Sequence, residues 1–333
     1  MIISKTPFRI SLFGGGTDFP EYYKNNNDSG VICTAINKYC YISVRKLPNF
    51  FHHLHRISYS KIEEVNSNNE IDHPVIRSIF NLYDIKNGIE LHYDGDMPSR
   101  SGLGSSSAFT VGLLNAMLEL QNNKKSKRYL AEKAIYVEQN LLKEAVGCQD
   151  QIISSYGGFN HILFNNDKTF TVNSIIMQNE QKKILNDHLM LFYTGIQRFA
   201  TDIESSKFKD VSKNEKFLDN IRKLKNEALT LFYKSKIDIS LLGKLLLESW
   251  EQKKMLSKKV SLPLIDNAYN IAIENGALGG KLLGAGGGGF LLFLVKPEMQ
   301  NKVRNCLKDL LEIKFSFENE GSKIIFNSSK NGY

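Results

Sequence analysis

The sequence predicts a chain of mixed α and β content folded in two parts, residues 1–178 and 179–333, and three observations lead there. The 333 residues, 42% hydrophobic and 23% charged, suffice to bury two moderate cores. The first part alternates strand-like and helix-like periodicity. From Lys182 onward a strand is followed by lysine-rich helices over 205–259, a glycine loop, and a closing strand and helix pattern.

The first element worth placing is Arg9 to Phe13, which alternates like a strand and runs into Gly14, Gly15 and Gly16. The glycines remove side chains where something approaches the backbone, and Thr17 and Asp18 add a hydroxyl and a carboxylate beside the gap. Such groups suit the hydroxyls of a sugar; a glycine turn closed by an Asx hydrogen bond from Asp18 accounts for them equally.

Next comes a strand at Gly88 to Asp94, in which Ile89, Leu91 and Tyr93 alternate with polar partners. A helix over Ala108 to Leu120 carries Val111, Leu114 and Leu118 at helical spacing. The connection, Pro98-Ser-Arg-Ser-Gly-Leu-Gly-Ser-Ser-Ser-Ala108, is a strand-to-helix turn rich in glycine and hydroxyls. Gly102 and Gly104 admit a ligand to the main chain, while Ser105, Ser106 and Ser107 fall at the cap and first turn, where free N–H groups and the helix dipole favour an anion. An ordinary serine-capped turn is the plainer alternative. The chain has no P-loop lysine signature, and Ser107 stands where a dinucleotide fingerprint needs its third glycine.

Helical patterns over Ala134–Glu138 and from Gly147 through Gln151 follow, then an apolar strand at Leu189–Tyr193 and a helix over Leu262–Glu274. Gly279 to Gly289 precedes the apolar run Phe290–Val295. So much glycine costs backbone entropy that a hairpin turn does not require, so the loop is expected to pack against a ligand or another backbone.

The three glycine segments, in this order, resemble the signature motifs of the GHMP small-molecule kinases, the family of galactokinase, homoserine, mevalonate and phosphomevalonate kinases. Pro7 to Asp18 looks like the substrate motif, Pro98 to Ala108 like the phosphate loop, and Lys281 to Phe290 like the C-terminal glycine motif. Where galactokinases carry Gly-Glu-His-Thr-Asp, this chain has Gly14-Gly15-Gly16-Thr17-Asp18. With Arg100-Ser101 and Tyr193-Thr-Gly-Ile-Gln-Arg198 it is similar to the D-glycero-D-manno-heptose 7-phosphate kinases of that family.

The resemblance implies an α+β, two-domain GHMP kinase fold with a ribosomal-S5-like N-terminal domain, a ferredoxin-like C-terminal domain, and an active site between them. It implies ATP and Mg²⁺ as cofactors and phosphorylation of the anomeric hydroxyl of a sugar phosphate, supplying nucleotide-activated heptose for a surface glycan. Residues Ser101 to Ser107, including Leu103, would hold the nucleotide phosphates, Ser106 and Glu138 the metal, and Asp150 would face the attacking hydroxyl. Arg9, Gly15, Gly16, Thr17, Asp18, Arg100, Arg198, Gly286 and Gly287 would meet the acceptor. Arginine matches phosphate with a bidentate fork, and among Lys5, Arg9, Arg45, Arg100 and Arg198 the preferred clamp for the acceptor's own phosphate is Arg198. A catalytically silent sensor and a kinase for fucose or a hexose phosphate are the rival readings.

Other classes fit less well. The net charge of +8 raises nucleic acid as a partner, but the lysines of 207–259 are interleaved with Asp210, Glu215, Asp219, Glu227 and Glu248, as on solvated helix faces. No apolar run approaches a membrane span, and Met1–Pro7 lacks a secretory apolar stretch, so a cytoplasmic protein without membrane partners is expected, with a homodimer as a candidate assembly. Cys33, Cys40, Cys148 and Cys306 form no C-x-x-C pair, which suits reduced thiols. His52, His53 and His55 read as loop or strand histidines rather than a metal site.

Overall fold

The computed structural model describes residues 1–196 and 211–328. The N-terminal part contains β1 (Ile2–Phe13), α1 (Pro20–Tyr23), β2 (Ser29–Lys46), β3 (His55–Ser58), β4 (Ile62–Val65), α2 (Pro74–Leu82), β5 (Ile89–Gly95), α3 (Ser105–Leu120) and α4 (Lys127–Ile135). A π-helical turn, Tyr136–Leu141, leads on to α5 (Gln149–Tyr156), β6 (Phe159–Phe164) and β7 (Phe170–Ser174). Then come α6 (Asn179–Asp187), β8 (Leu189–Tyr193), α7 (Val211–Phe232), α8 (Ile239–Met255), α9 (Pro263–Glu274), β9 (Ala277–Leu282), β10 (Phe290–Val295) and α10 (Gln300–Cys306). The short strands β11 (Leu311–Glu312), β12 (Phe317–Glu318) and β13 (Lys323–Asn327) close the described chain.

Two sheets result. The larger, nine-stranded sheet runs β13-β1-β2-β5-β3-β4, with β6 and β12 also pairing on β2, and β7 on β6. The smaller is four-stranded, in the order β11-β8-β10-β9. The helix α3, apolar on nearly every face, is buried against β1 and β2. One hydrophobic core runs from Phe8 and Ile10 of β1 through Leu113 and Leu114 of α3 to Leu191, Leu283 and Phe290 of the second unit. A second core, around Trp250, Tyr269 and Phe293, lies under the small sheet.

Within the described residues the expected elements are present with three main differences; the start of the lysine-rich helices, 205–210, lies outside the described residues. The strand expected at Arg9–Phe13 is the end of a strand that begins at Ile2. The helix expected from Ala108 starts at Ser105, capped not by a serine side chain but by Gly104 in the left-handed region at φ 74°. A cut between 178 and 179 follows chain order but not the sheets, because β12 and β13 return to pair with β2 and β1 of the first unit. Among the described residues no helix is long and apolar enough to cross a membrane. All four cysteines are free thiols.

The long helix α7 is fastened to the first sheet by a buried polar cluster. Lys225, fully buried, donates to Asp28 O at 3.1 Å and Oδ1 at 3.3 Å, and its Nζ lies 3.3 Å from His161 Nε2 of β6. Burial, and then the charge of Lys225, push the His161 imidazole down from 6.5 to about 4. The unfolded chain therefore binds a proton that the folded chain refuses between these two values, and stability falls as the pH drops through that window. Urea unfolding at pH 7 and pH 4.5 checks this: His161→Gln should reduce the acid loss of stability by about 2 kcal/mol.

Candidate active site

The end of β1, the phosphate loop and the glycine loop before β10 enclose a cavity of about 670 Å³. Its floor is the turn into α3. Arg100, Gly102 and Gly104 have φ of 58°, 83° and 74°, so alternate residues of the loop are left-handed and its main chain coils around the helix N-terminus. Gly102, Gly104, Ser105, Ser106 and Ser107 line the cavity, where the first amides and the dipole of a sixteen-residue helix favour anionic oxygens. Ser101 and Leu103 differ from expectation: both side chains are fully buried, Ser101 Oγ donating to Pro98 O at 2.6 Å and Leu103 lying in the core.

Gly104 also makes room for an ion pair. A methyl group there would sit 3.2 Å from Asp150 Oδ2. Asp150, in the first turn of α5, receives Arg9 Nε at 2.7 Å and Nη2 at 2.6 Å, a bidentate fork, while Arg9 Nη1 donates to Gly102 O at 2.5 Å. One guanidinium thus joins β1, α5 and the phosphate loop, and holds a carboxylate at the cavity wall.

Glu138 projects from the π-helical turn and is buried. Its Oε2 accepts from Ser107 Oγ at 2.9 Å and Gln151 Nε2 at 2.5 Å; Oε1 is buried with no hydrogen-bond partner. Desolvation raises this carboxyl to about 7, against the opposing hydrogen bonds. A cation beside Oε1 would favour the charged form, so the carboxylate and the hydroxyls of Ser106 and Ser107 fit a hard divalent ion that takes few protein ligands and several waters or phosphate oxygens. The hydroxyl bonded to Glu138 is that of Ser107; Ser106 lies exposed on the same cavity wall.

The loop after β1 separates into working and structural residues. Gly15, Gly16 and Asp18 line the cavity. Asp18 is buried, its carboxylate accepting from Gly16 N at 3.0 Å, two residues back rather than two residues on as in an Asx turn, and from Gln149 N at 3.4 Å. Thr17 is placed away from the cavity: its hydroxyl donates towards Gly14 O and Gly30 O and accepts from Gly30 N, tying the loop to β2. Lys5 and Arg45 also lie elsewhere, Lys5 over the Tyr39 ring and Arg45 paired with Glu90. Arg100 lines the cavity, and Arg198 falls outside the described residues.

The C-terminal glycine loop packs against another backbone. A methyl group on Gly284 would lie 2.5 Å from Gly102 Cα, and one on Gly289 would lie 2.1 Å from Ser101 O. Gly286 reaches the cavity, whereas Gly287 donates its N–H to Val260 O at 2.8 Å. Lys253 Nζ holds the loop through Leu282 O at 2.9 Å and Gly284 O at 2.6 Å, and Lys281 Nζ reaches Leu12 O at 2.9 Å.

Sequence reasoning missed the far arm of the cavity. There Tyr59, His73, Phe109 and Tyr93 form a chain of ring contacts with centroids 4.9, 4.8 and 5.4 Å apart. Burial keeps the His73 imidazole below its ordinary value. Phe109 lay inside the predicted helix, but nothing in the local pattern of Tyr59 or His73 distinguishes a cavity wall from a loop.

The packing of the two loops has a measurable consequence. Gly284→Ala places a Cβ against Gly102 at a φ of 69° that alanine disfavours, so it should cost about 1–3 kcal/mol in urea unfolding and weaken ATP binding through the displaced phosphate loop. ATP titration by calorimetry checks the second effect.

Known proteins supply the context. The GHMP kinases N terminal domain model matches residues 72–158, and the GHMP kinases C terminal model matches residues 226–313. The chain is 33% identical to the D-glycero-alpha-D-manno-heptose 7-phosphate kinase of Campylobacter jejuni, over 97% of this chain and 98% of that one. Its fold is similar to that of a D-glycero-D-manno-heptose 1-phosphate kinase from Bacteroides thetaiotaomicron, with TM-score 0.80 and 22% identity over 98% and 99% of the two chains. The mevalonate kinase of Methanococcus jannaschii shares it too, with TM-score 0.72 and 21% identity over 95% and 98%. With both halves matched in order and a full-length relative at this identity, the chain belongs to the GHMP kinase family.

Proposed function

We propose that this kinase transfers the γ-phosphoryl group of ATP to the anomeric hydroxyl of D-glycero-D-manno-heptose 7-phosphate, giving the 1,7-bisphosphate. The observation that carries the reading is the Arg9–Asp150 pair, set between the phosphate loop and a substrate motif stripped of side chains at Gly15 and Gly16. The full-length resemblance to a heptose 7-phosphate kinase directs the choice of acceptor. The product would feed nucleotide-activated heptose for a surface polysaccharide, in the cytoplasm.

In this reading the phosphate loop and the N-terminus of α3 hold the nucleotide phosphates, and the aromatic arm around Tyr59, His73 and Phe109 takes the base. Mg²⁺ at Glu138 and the adjacent serine hydroxyls would neutralise charge on the transferring phosphoryl group. Asp150 accepts a hydrogen bond from the acceptor hydroxyl. Because Arg9 donates to both its oxygens, the carboxylate is a well-oriented acceptor. An anomeric hydroxyl is more acidic than an ordinary alcohol, so orientation meets most of the demand. Arg9, with two of its bonds on Asp150 and one on the phosphate loop, sets the spacing between acceptor and donor.

The test is Mg²⁺-dependent ATP turnover with D-glycero-D-manno-heptose 7-phosphate beside the unphosphorylated heptose, D-mannose, L-fucose, D-galactose and mevalonate. Turnover confined to the heptose phosphate, with phosphate added at C1, is expected; preference for another acceptor, or phosphorylation elsewhere, would discard the heptose assignment and keep the kinase.

Asp150→Asn should lower kcat by roughly 10²–10⁴-fold while the KM for ATP stays within about threefold, because the amide both loses the charge and breaks the fork with Arg9. Steady-state kinetics in both substrates check this.

A further inference from the structure

Several buried polar atoms without a hydrogen-bond partner among the described residues line the active-site cavity, and they divide by position. Glu138 Oε1 and Gln151 Oε1 lie on the phosphate-loop side, His73 Nδ1 in the aromatic arm, and Ser11 Oγ and Gln149 Oε1 beside the loop of Gly15 and Gly16. The first three sit where the proposed metal and nucleotide would go. The side chains of Ser11 and Gln149 belong to neither.

Ser11 is two residues beyond Arg9 on β1, so both side chains leave the same face of the strand and Ser11 lies about 7 Å further along it. It is 5% exposed, yet its hydroxyl bonds to no other group. Gln149 precedes Asp150 at the start of α5. What opens both to the cavity is the missing side chain at Gly15: a methyl group there would meet Ser11 Oγ at 3.5 Å and Gln149 Nε2 at 3.9 Å. Unlike Gly14 and Gly16, Gly15 does not have a positive φ, and nothing around it crowds a Cβ below ordinary contact. Neither the backbone nor the packing requires glycine at this position. A hydroxyl and an amide oxygen with no protein partner, facing the cavity beside Asp150, suit a polyol acceptor, whose hydroxyl groups can both donate and accept.

We propose that Ser11 and Gln149 are specificity-determining residues that read hydroxyl groups of the acceptor through the gap left by Gly15. Ser11 Oγ exchanges a hydrogen bond with one acceptor hydroxyl, and Gln149 Oε1 accepts from another. The inference rests on the reading that the acceptor binds beside Asp150, and it does not depend on which sugar that acceptor is.

Three variants test it: Ser11→Ala, Gln149→Leu and Gly15→Ala, each assayed for the KM of acceptor and of ATP and for Tm. Ser11→Ala and Gln149→Leu should each raise the acceptor KM about tenfold and leave the ATP KM within about twofold. Gly15→Ala, whose Cβ the fold accommodates, should raise the acceptor KM at least as much by closing the gap, with Tm unchanged. An acceptor KM unchanged in both Ser11→Ala and Gln149→Leu overturns the proposal, as does an ATP KM that rises in step with it, which would mark the two residues as structural. The substrate assay separates this from the heptose assignment: if the wild-type enzyme prefers another sugar, the heptose reading fails, and the same kinetic split measured on that sugar decides the roles of Ser11 and Gln149.

Discussion

The contact on which the site depends is main chain against main chain: the glycine loop before β10 pressed onto the phosphate loop before α3. At Gly284 and Gly102, and again at Gly289 and Ser101 O, the backbones approach more closely than any Cβ allows. Two glycines facing each other give up backbone entropy from two chain segments at once. In return the phosphate loop is braced from outside, so its alternating left-handed residues stay coiled around the helix N-terminus without side chains crossing the space a ligand needs. Lys253 and Lys281 continue the brace as donors to backbone carbonyls, the first within the glycine loop and the second across to β1. The cavity is therefore a product of how the two units join.

The same join explains how one arginine can serve three elements. Arg9 reaches Asp150 of α5 and Gly102 O of the phosphate loop, and its own backbone N–H is bonded to Leu103 O at 3.0 Å. Strand, loop and helix meet at a single residue because Gly104 carries no side chain between them. A lysine at position 9 could supply the charge but not the planar fork, and the orientation of Asp150 would be lost with it.

Much of this was legible in the sequence where the constraint is local. The glycines at 102, 104, 284 and 289 stand out because positive φ and close approach leave few other choices of residue, and the strand and helix periods on either side fix where the loops begin and end. Legibility fails where the deciding contact is distant. Thr17 and Asp18 look alike as polar groups beside a glycine gap, yet Thr17 is spent on Gly14 and Gly30, and only the pairing of β1 with β2 determines that. Glu138 reads as one charge among several on a helix until the π-helical turn directs it inward to Ser107 and Gln151. The return of β12 and β13 to the first sheet is a long-range pairing that no local pattern encodes.

The distribution of unmet hydrogen bonds carries the argument one step further. A folded chain of this size normally pairs its buried polar atoms, and each exception costs stability. Among the described residues half of the exceptions, those at Ser11, His73, Glu138, Gln149 and Gln151, line the active-site cavity, and the other half, at His53, Arg56, Asn186, Arg222 and Trp250, lie elsewhere. In the proposed reading, acceptor, metal and nucleotide would supply partners for these five atoms. Glu138 shows the principle most sharply. Its burial raises the carboxyl to about 7, so at neutral pH the proton and a cation compete for the same oxygens. The glycine contacts and the Arg9–Asp150 pair thus fix the shape of the site independently of the polar groups that face its cavity.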